Sequence, residues 1–262
     1  MSTLQSTHTI LGVPLHDISM QNILDTIKKG LSSPPRFFHI VSVNPETLII
    51  AQNDSELMRI YKKADLALCD GIGIQIASQL LGRKLKARIP GSVLLPQLLD
   101  LAGQISSTVV LIGSQVKIAE NIADCYSRSY PKAKFVGTYG YQNISNPTIQ
   151  EERTLESIVR STRPRLVLVA FGTPHQEKWI EAHKELLKDS ICMGVGGAFD
   201  YLSGAIQSPH PIIRRLGLEW AYRLITQPWR AKRQLTRLPL FVYLVLKEKI
   251  RSIMLRKNEQ KS

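Results

Sequence analysis

A carboxylate closes the apolar run in "ADLALCDGIGIQIA", residues 64–77, and a Gly-x-Gly turn follows it at once. Asp70 can serve there in either of two ways. It can cap the helix that starts at the turn, accepting backbone N–H bonds. Alternatively, between Leu68 and Ile72 at the mouth of a crevice, it can lose hydration, become a better base and take a proton from a hydroxyl. The local sequence leaves both open, and the two coexist only if the side chain faces the crevice.

Other polar residues gather in similar settings. "SVNPE" offers Ser42 and Asn44 as neutral groups for hydroxyl or amide recognition, although Asn-Pro is also an ordinary turn signal. "FGTPHQEKW" sets Thr173, His175, Gln176 and Glu177 at a helix start, where free N–H groups favour an anion. His175 and Glu177 read as exposed first-turn residues, and Gln176 as the better candidate. "LIGSQ" and "GVGGAFD" are glycine turns that permit close approach of a phosphate. Neither fits the dinucleotide or P-loop pattern, so no cofactor is expected. There is no Asp-x-Asp pair, so a nucleotide-sugar site here is expected to work without a bound divalent metal. Arg and Lys would then neutralise leaving-group charge.

The elements that must position these residues alternate. "RFFHIVSV", "ADLALCD", "STVVLIG", "AKFVGTYGY", "PRLVLVAFG" and "SICMGVGG" read as strands, with amphipathic helical segments between them. Ser19 is placed to cap the first helix, and Pro45 suits the first position of the second. This alternation predicts an α/β fold, a mostly parallel Rossmann-like sheet flanked by helices, with the polar turns converging at the carboxyl ends of the strands. After "GGAFDYLSG" the pattern changes. Residues 1–204 read as the α/β core and 205–262 as a basic helical appendage.

That appendage carries most of the charge. From His210 onward thirteen Lys and Arg stand against three Glu, giving ten of the chain's thirteen net positive charges. An exposed basic face is usually just solvated. In "EWAYRLITQPWRAKR", however, Arg223, Arg230 and Arg233 share one face if the helix continues past Pro228, and Trp220, Tyr222 and Trp229 accompany them. Interfacial aromatics with cations fit an anionic membrane surface. No nucleic-acid fold signature accompanies the basic residues, so nucleic acid is not the expected partner. The longest apolar run, "LPLFVYLVL", is about half the ~20 residues that a spanning helix needs. Three cysteines without C-x-x-C spacing and the lack of a signal-peptide pattern point to a reducing, cytoplasmic setting.

Taken together, "VSVNPE", "DLALCDGIGI", "ARIPGS", "FGTPHQEKW", "GVGGAFDYLSG" and "GLEWAYRLITQPWRAKR" resemble the WecG/TagA/CpsF glycosyltransferase family, over roughly Ile10 to Leu246. The resemblance implies an inverting, metal-independent transfer of a sugar from a UDP donor to a polyprenyl-diphosphate-linked sugar. The reaction would lie on the inner face of the bacterial cell membrane, in assembly of teichoic acid or another surface polysaccharide. By motif position, Asp70 matches the proposed general base, and Ser42, Asn44, Arg88, Gln176 and Asp200 match donor-pocket positions. Arg223, Arg230 and Arg233 match arginines that cover the site and hold diphosphate. Val93 stands where many members carry Asp, and Ser42 where many carry Thr. N-acetylmannosamine, its uronic acid and glucose are all donors in the family, the first being the expected one. The reading from another class is a non-catalytic nucleotide-binding module attached by its basic tail to membrane or nucleic acid. A homo-oligomer is compatible with either.

Overall fold

The computed structural model describes residues 7–83, 85–210, 212–213, 216–226 and 231–259. The six expected strands all form: β3 (Phe38–Val43), β4 (Leu66–Cys69), β5 (Thr108–Gly113), β6 (Lys134–Thr138), β7 (Leu166–Ala170) and β8 (Ile191–Gly194). They build one parallel sheet in the order β4-β3-β8-β7-β5-β6. Their apolar runs are nearly unbroken because both faces are covered. Ile40, Leu68, Leu111, Leu168 and Met193 face one layer, and Val41, Cys69, Val110, Val167 and Cys192 face the other, as the two-residue period of a strand requires.

The first layer holds α1 (Met20–Ser32), α5 (Gly91–Gln104), α6 (Ile118–Ser129) and the short α9 (Ala198–Leu202). The second holds α2 (Pro45–Gln52), α3 (Ser55–Lys63), α4 (Ile72–Leu80), α7 (Ile149–Thr162) and α8 (His175–Ala182). Local chemistry sets the helix starts. The Ser19 hydroxyl accepts from Asn22 N at 3.2 Å, and Asn44 and Thr47 form a reciprocal box that spans Pro45.

A hairpin that the strand pattern did not announce precedes α1: β1 (Thr7–Ile10) and β2 (Val13–His16) are antiparallel, and their turn, Leu11–Gly12, has positive φ at both residues. Such a turn normally announces itself with Asn-Gly or Asp-Gly, and Leu-Gly does not. The C-terminal segment, α10 (Glu219–Thr226) and α11 (Ala231–Glu259), is tied into the core. Phe241 and Val245 of α11 are buried in one cluster with Leu48 and Ile49 of α2 and Ile74 and Ala77 of α4. No helix among the described residues is long and apolar enough to cross a membrane.

Candidate active site

The site starts from the register of two neighbouring strands. Val43 lies beside Cys69, so Asn44 and Asp70 leave the sheet side by side, and Asp70 N donates to Val43 O at 2.8 Å. Asp70 stands one residue before the N-cap position of α4. The residue at the N-cap position is Gly71, with φ 134°. The second glycine of the motif answers a packing demand, because a Cβ on Gly73 would stand 2.7 Å from Pro45 Cγ. The Gly-x-Gly therefore lets the start of α4 crowd against the start of α2, with half-buried Asp70 between them.

The C-terminal segment closes over this corner. Arg88 pairs with Glu219 of α10 at 3.0 Å, both side chains largely buried, and Arg237 of α11 pairs with Glu46 of α2 at 2.6 Å. Gly217 packs on Ile72, where a Cβ would come within 2.7 Å. The result is a cleft of about 370 Å³, within the range of small-molecule sites. Asn44, Asp70, Arg88 and Ser92 line it from the core, and Trp220, Gln234, Arg237 and Phe241 from the C-terminal segment. Burial, followed by the charge of Asp70, pushes the Cys69 thiol up to about 12, while Arg88 pulls the other way. Arg88 and Asp70 thus act electrostatically on the same spot. Gln234 brings an amide oxygen that is buried without a hydrogen-bond partner among the described residues.

The other candidates sit elsewhere on the carboxyl edge. Gln176 and Asp200 do not line the cleft; they lie toward β7, β5 and β8, where the connection from β5 runs toward one edge, to β6, and that from β7 runs the other way, to β8. A crevice is expected at such a divergence. Gln176 is buried, and its Oε1 accepts from Gly172 N at 3.2 Å and Gly196 N at 3.0 Å, bracing the loops after β7 and β8. Asp200 accepts from the Ser114 hydroxyl at 2.6 Å. Ser42 lies on β3 next to the cleft, its buried hydroxyl unpartnered among the described residues. Of the three arginines, Arg230 lies outside the described residues. Arg223 and Arg233 fall on α10 and α11, but their side chains also lie outside the described set.

Glu177 requires a correction. It is not an exposed first-turn residue but is 1 % exposed, and burial raises its carboxyl pKa. Its Oε1 accepts from Gln176 Nε2 at 2.8 Å and from the Thr173 hydroxyl at 3.0 Å, so it holds the brace from behind. His175 is half-buried rather than exposed. The sequence signal for Glu177 was its neighbour: a carboxylate next to a buried amide donor gains a partner that compensates its own burial. Glu46 and Glu219 were missed because their partners lie far away in the chain, and Gln234 because only the docking of α11 brings it to the cleft.

Among the described residues, Glu152, Glu156 and His183 could hold a metal, their ligand atoms lying within 4.8 Å of one another. They join α7 to the end of α8, and none lines the cleft. Glu152 is already engaged there by the Tyr141 hydroxyl and the His183 ring.

Comparison with known proteins gives the chain its family. The family model described as "Glycosyl transferase WecG/TagA/CpsF family" matches residues 8–254. The chain is similar to an N-acetylglucosaminyldiphosphoundecaprenol N-acetyl-beta-D-mannosaminyltransferase of Bacillus subtilis (strain 168), at 31% identity over 242 residues, covering 92% of each chain. It is similar at 29% identity to the protein of the same description from Staphylococcus aureus (strain NCTC 8325 / PS 47), again over 92% of each. The match spans both halves of the cleft, the strand-end turns and the C-terminal helices alike, and the chain belongs to the WecG/TagA/CpsF glycosyltransferase family.

Proposed function

We propose that this chain transfers N-acetylmannosamine from a UDP donor to a sugar carried on a polyprenyl diphosphate, with inversion and without a metal. The observation that supports it best is the placement of Asp70 in a cleft that also holds Arg88 and Arg237. In this reading the Asp70 carboxylate takes the proton of the acceptor hydroxyl. The oxygen attacks the anomeric carbon from the side opposite UDP, the bond from that carbon to the diphosphate oxygen breaks, and UDP departs with the electron pair. Cationic side chains offset the charge that develops on the diphosphate. Arg88, Arg223, Arg230 and Arg233 are assigned that task; Ser42, Asn44, Gln176 and Asp200 are assigned to shaping the donor side. The names of the two relatives support N-acetylmannosamine as the transferred sugar and a diphosphoundecaprenol-linked acceptor.

Exposed apolar residues of the C-terminal segment, Leu216, Trp220, Ile225 and Leu235 among them, support a peripheral position on an anionic membrane face. The test is Asp70→Asn assayed for UDP release. Turnover should fall by roughly 10²–10⁴-fold with donor binding retained. Near-normal turnover in that variant would remove Asp70 as base, and a wild-type protein that releases no UDP with any lipid-linked acceptor would favour the tethered nucleotide-binding module. A donor screen with mass detection of the lipid product names the sugar.

A further inference from the structure

The proposed acceptor ends in a hydrocarbon chain, and the cleft around Asp70 has two apolar walls. On α4, Ile72, Ile76 and Leu80 recur every four residues and form one stripe, which leads ~12 Å away from the Asp70 end. On α11, Leu238, Phe241, Val242 and Val245 recur at three and four residues and line the same space. Two sets of contacts fix the direction of α11. Arg237 holds Glu46 at the start of α2, and three turns later Glu248 accepts from Arg83, just past the end of α4, and from Leu11 N, each at 2.9 Å. The polar ends of both walls therefore coincide.

The cleft is consequently graded. Asp70, Arg88, Ser92 and Arg237 occupy one end, and Ile76, Leu80, Val242 and Val245 the other. The apolar end is open: Ile76 is 58 % exposed and Val242 50 %. A closed pocket suits a ligand that ends inside it, whereas an open apolar end suits a chain longer than the groove. Attachment to a membrane surface requires only an exposed apolar band, not facing stripes that lead to a carboxylate.

We infer that the groove between α4 and α11 takes the first isoprene units of the acceptor's polyprenyl chain. This rests on the reaction proposed above. Seated there, the chain aims its diphosphate at the Arg88 end of the cleft and its sugar at Asp70, so the hydrocarbon sets the register of the reacting hydroxyl.

The experiment uses the full chain, UDP-N-acetylmannosamine and N-acetylglucosaminyl diphosphates bearing an ethyl, farnesyl or undecaprenyl group. KM should fall at least tenfold from ethyl to farnesyl in the unaltered protein. Ile76→Glu and Val242→Glu should collapse that ratio, and Ile250→Glu, on α11 beyond the cleft, should keep it. A ratio intact in both groove variants, or lost equally in Ile250→Glu, overturns the inference. A farnesyl diphosphate with a photoreactive tail gives a readout free of turnover. Cross-links within 72–80 and 238–245 are expected, and cross-links only outside both segments refute the groove. Those cross-links in a protein that transfers sugar to none of the acceptors would sustain the groove and sink the proposed reaction.

Discussion

Replacing Gln176 with methionine separates bracing from ligand contact at this position. Methionine keeps the approximate volume over Gly194, where a Cβ would already stand 2.5 Å from Gln176 Nε2, so the packing change itself costs little. It removes the acceptor for Gly172 N and Gly196 N and the donor to Glu177. Both N–H groups are only part-buried, so water replaces the lost acceptor in part, and the two together cost about 1–3 kcal/mol. Urea unfolding should show a loss in that range. Amide exchange at Gly172 and Gly196 should accelerate well over tenfold, because the two loops no longer share a fixed point. Donor affinity should fall as a consequence of loop movement. Unchanged stability and unchanged exchange combined with abolished donor binding would refute the bracing argument and leave a direct donor contact as the role of Gln176.

Other outcomes follow from the same geometry. Burial, with Lys184 adding to it, lowers the His39 imidazole to about 4, so the folded chain keeps it neutral while the unfolded chain protonates it near 6.5. The unfolded state then binds more protons between those values, so its contribution is complete above about pH 6.5 and about 3 kcal/mol is lost as pH falls to 4. Chemical unfolding at pH 7 and pH 5 should register the loss, and His39→Gln should flatten it. Gly73→Ala should drive α4 off Pro45, lowering the melting temperature and turnover together; an unaffected melt would show that the contact yields freely. Phe241→Ala should cost about 3–5 kcal/mol, read by urea unfolding, because the ring is 4 % exposed in a shared cluster. For the same reason, deleting everything after Gly204 should leave a core of reduced stability, with Leu48, Ile74 and Ala77 uncovered, and a wild-type melting curve for it would contradict that packing.

The parallel sheet was legible because its strands are short, almost wholly apolar and separated by amphipathic helices, a pattern that admits few arrangements. Asp70 and Asn44 were legible for a related reason: a polar residue that ends a buried strand must emerge at the edge where ligands bind. What stayed hidden was set at long range. Nothing near Glu219 or Glu46 announces Arg88 or Arg237 as its partner, since each pair closes across 131 or 191 residues. Glu177 looked solvent-facing because first-turn glutamates usually are, and its burial depends on a sheet edge and a neighbouring amide that pattern alone does not locate. The hairpin β1–β2 escaped because the first residue of its turn is Leu11, where Asn, Asp or Gly is the usual signal.

The long reach of the Glu46–Arg237 pair has a consequence for how the protein is made. Translation adds about 5–20 residues per second, so Glu46 waits roughly 10–40 s after its own synthesis before Arg237 exists at all. During that interval the sheet edge can form, but the α4 stripe has no facing helix and the carboxylate has no enclosing wall. A nascent chain therefore presents greasy surface without competence to react, and it acquires both cover and chemistry in one late docking event near the completion of synthesis.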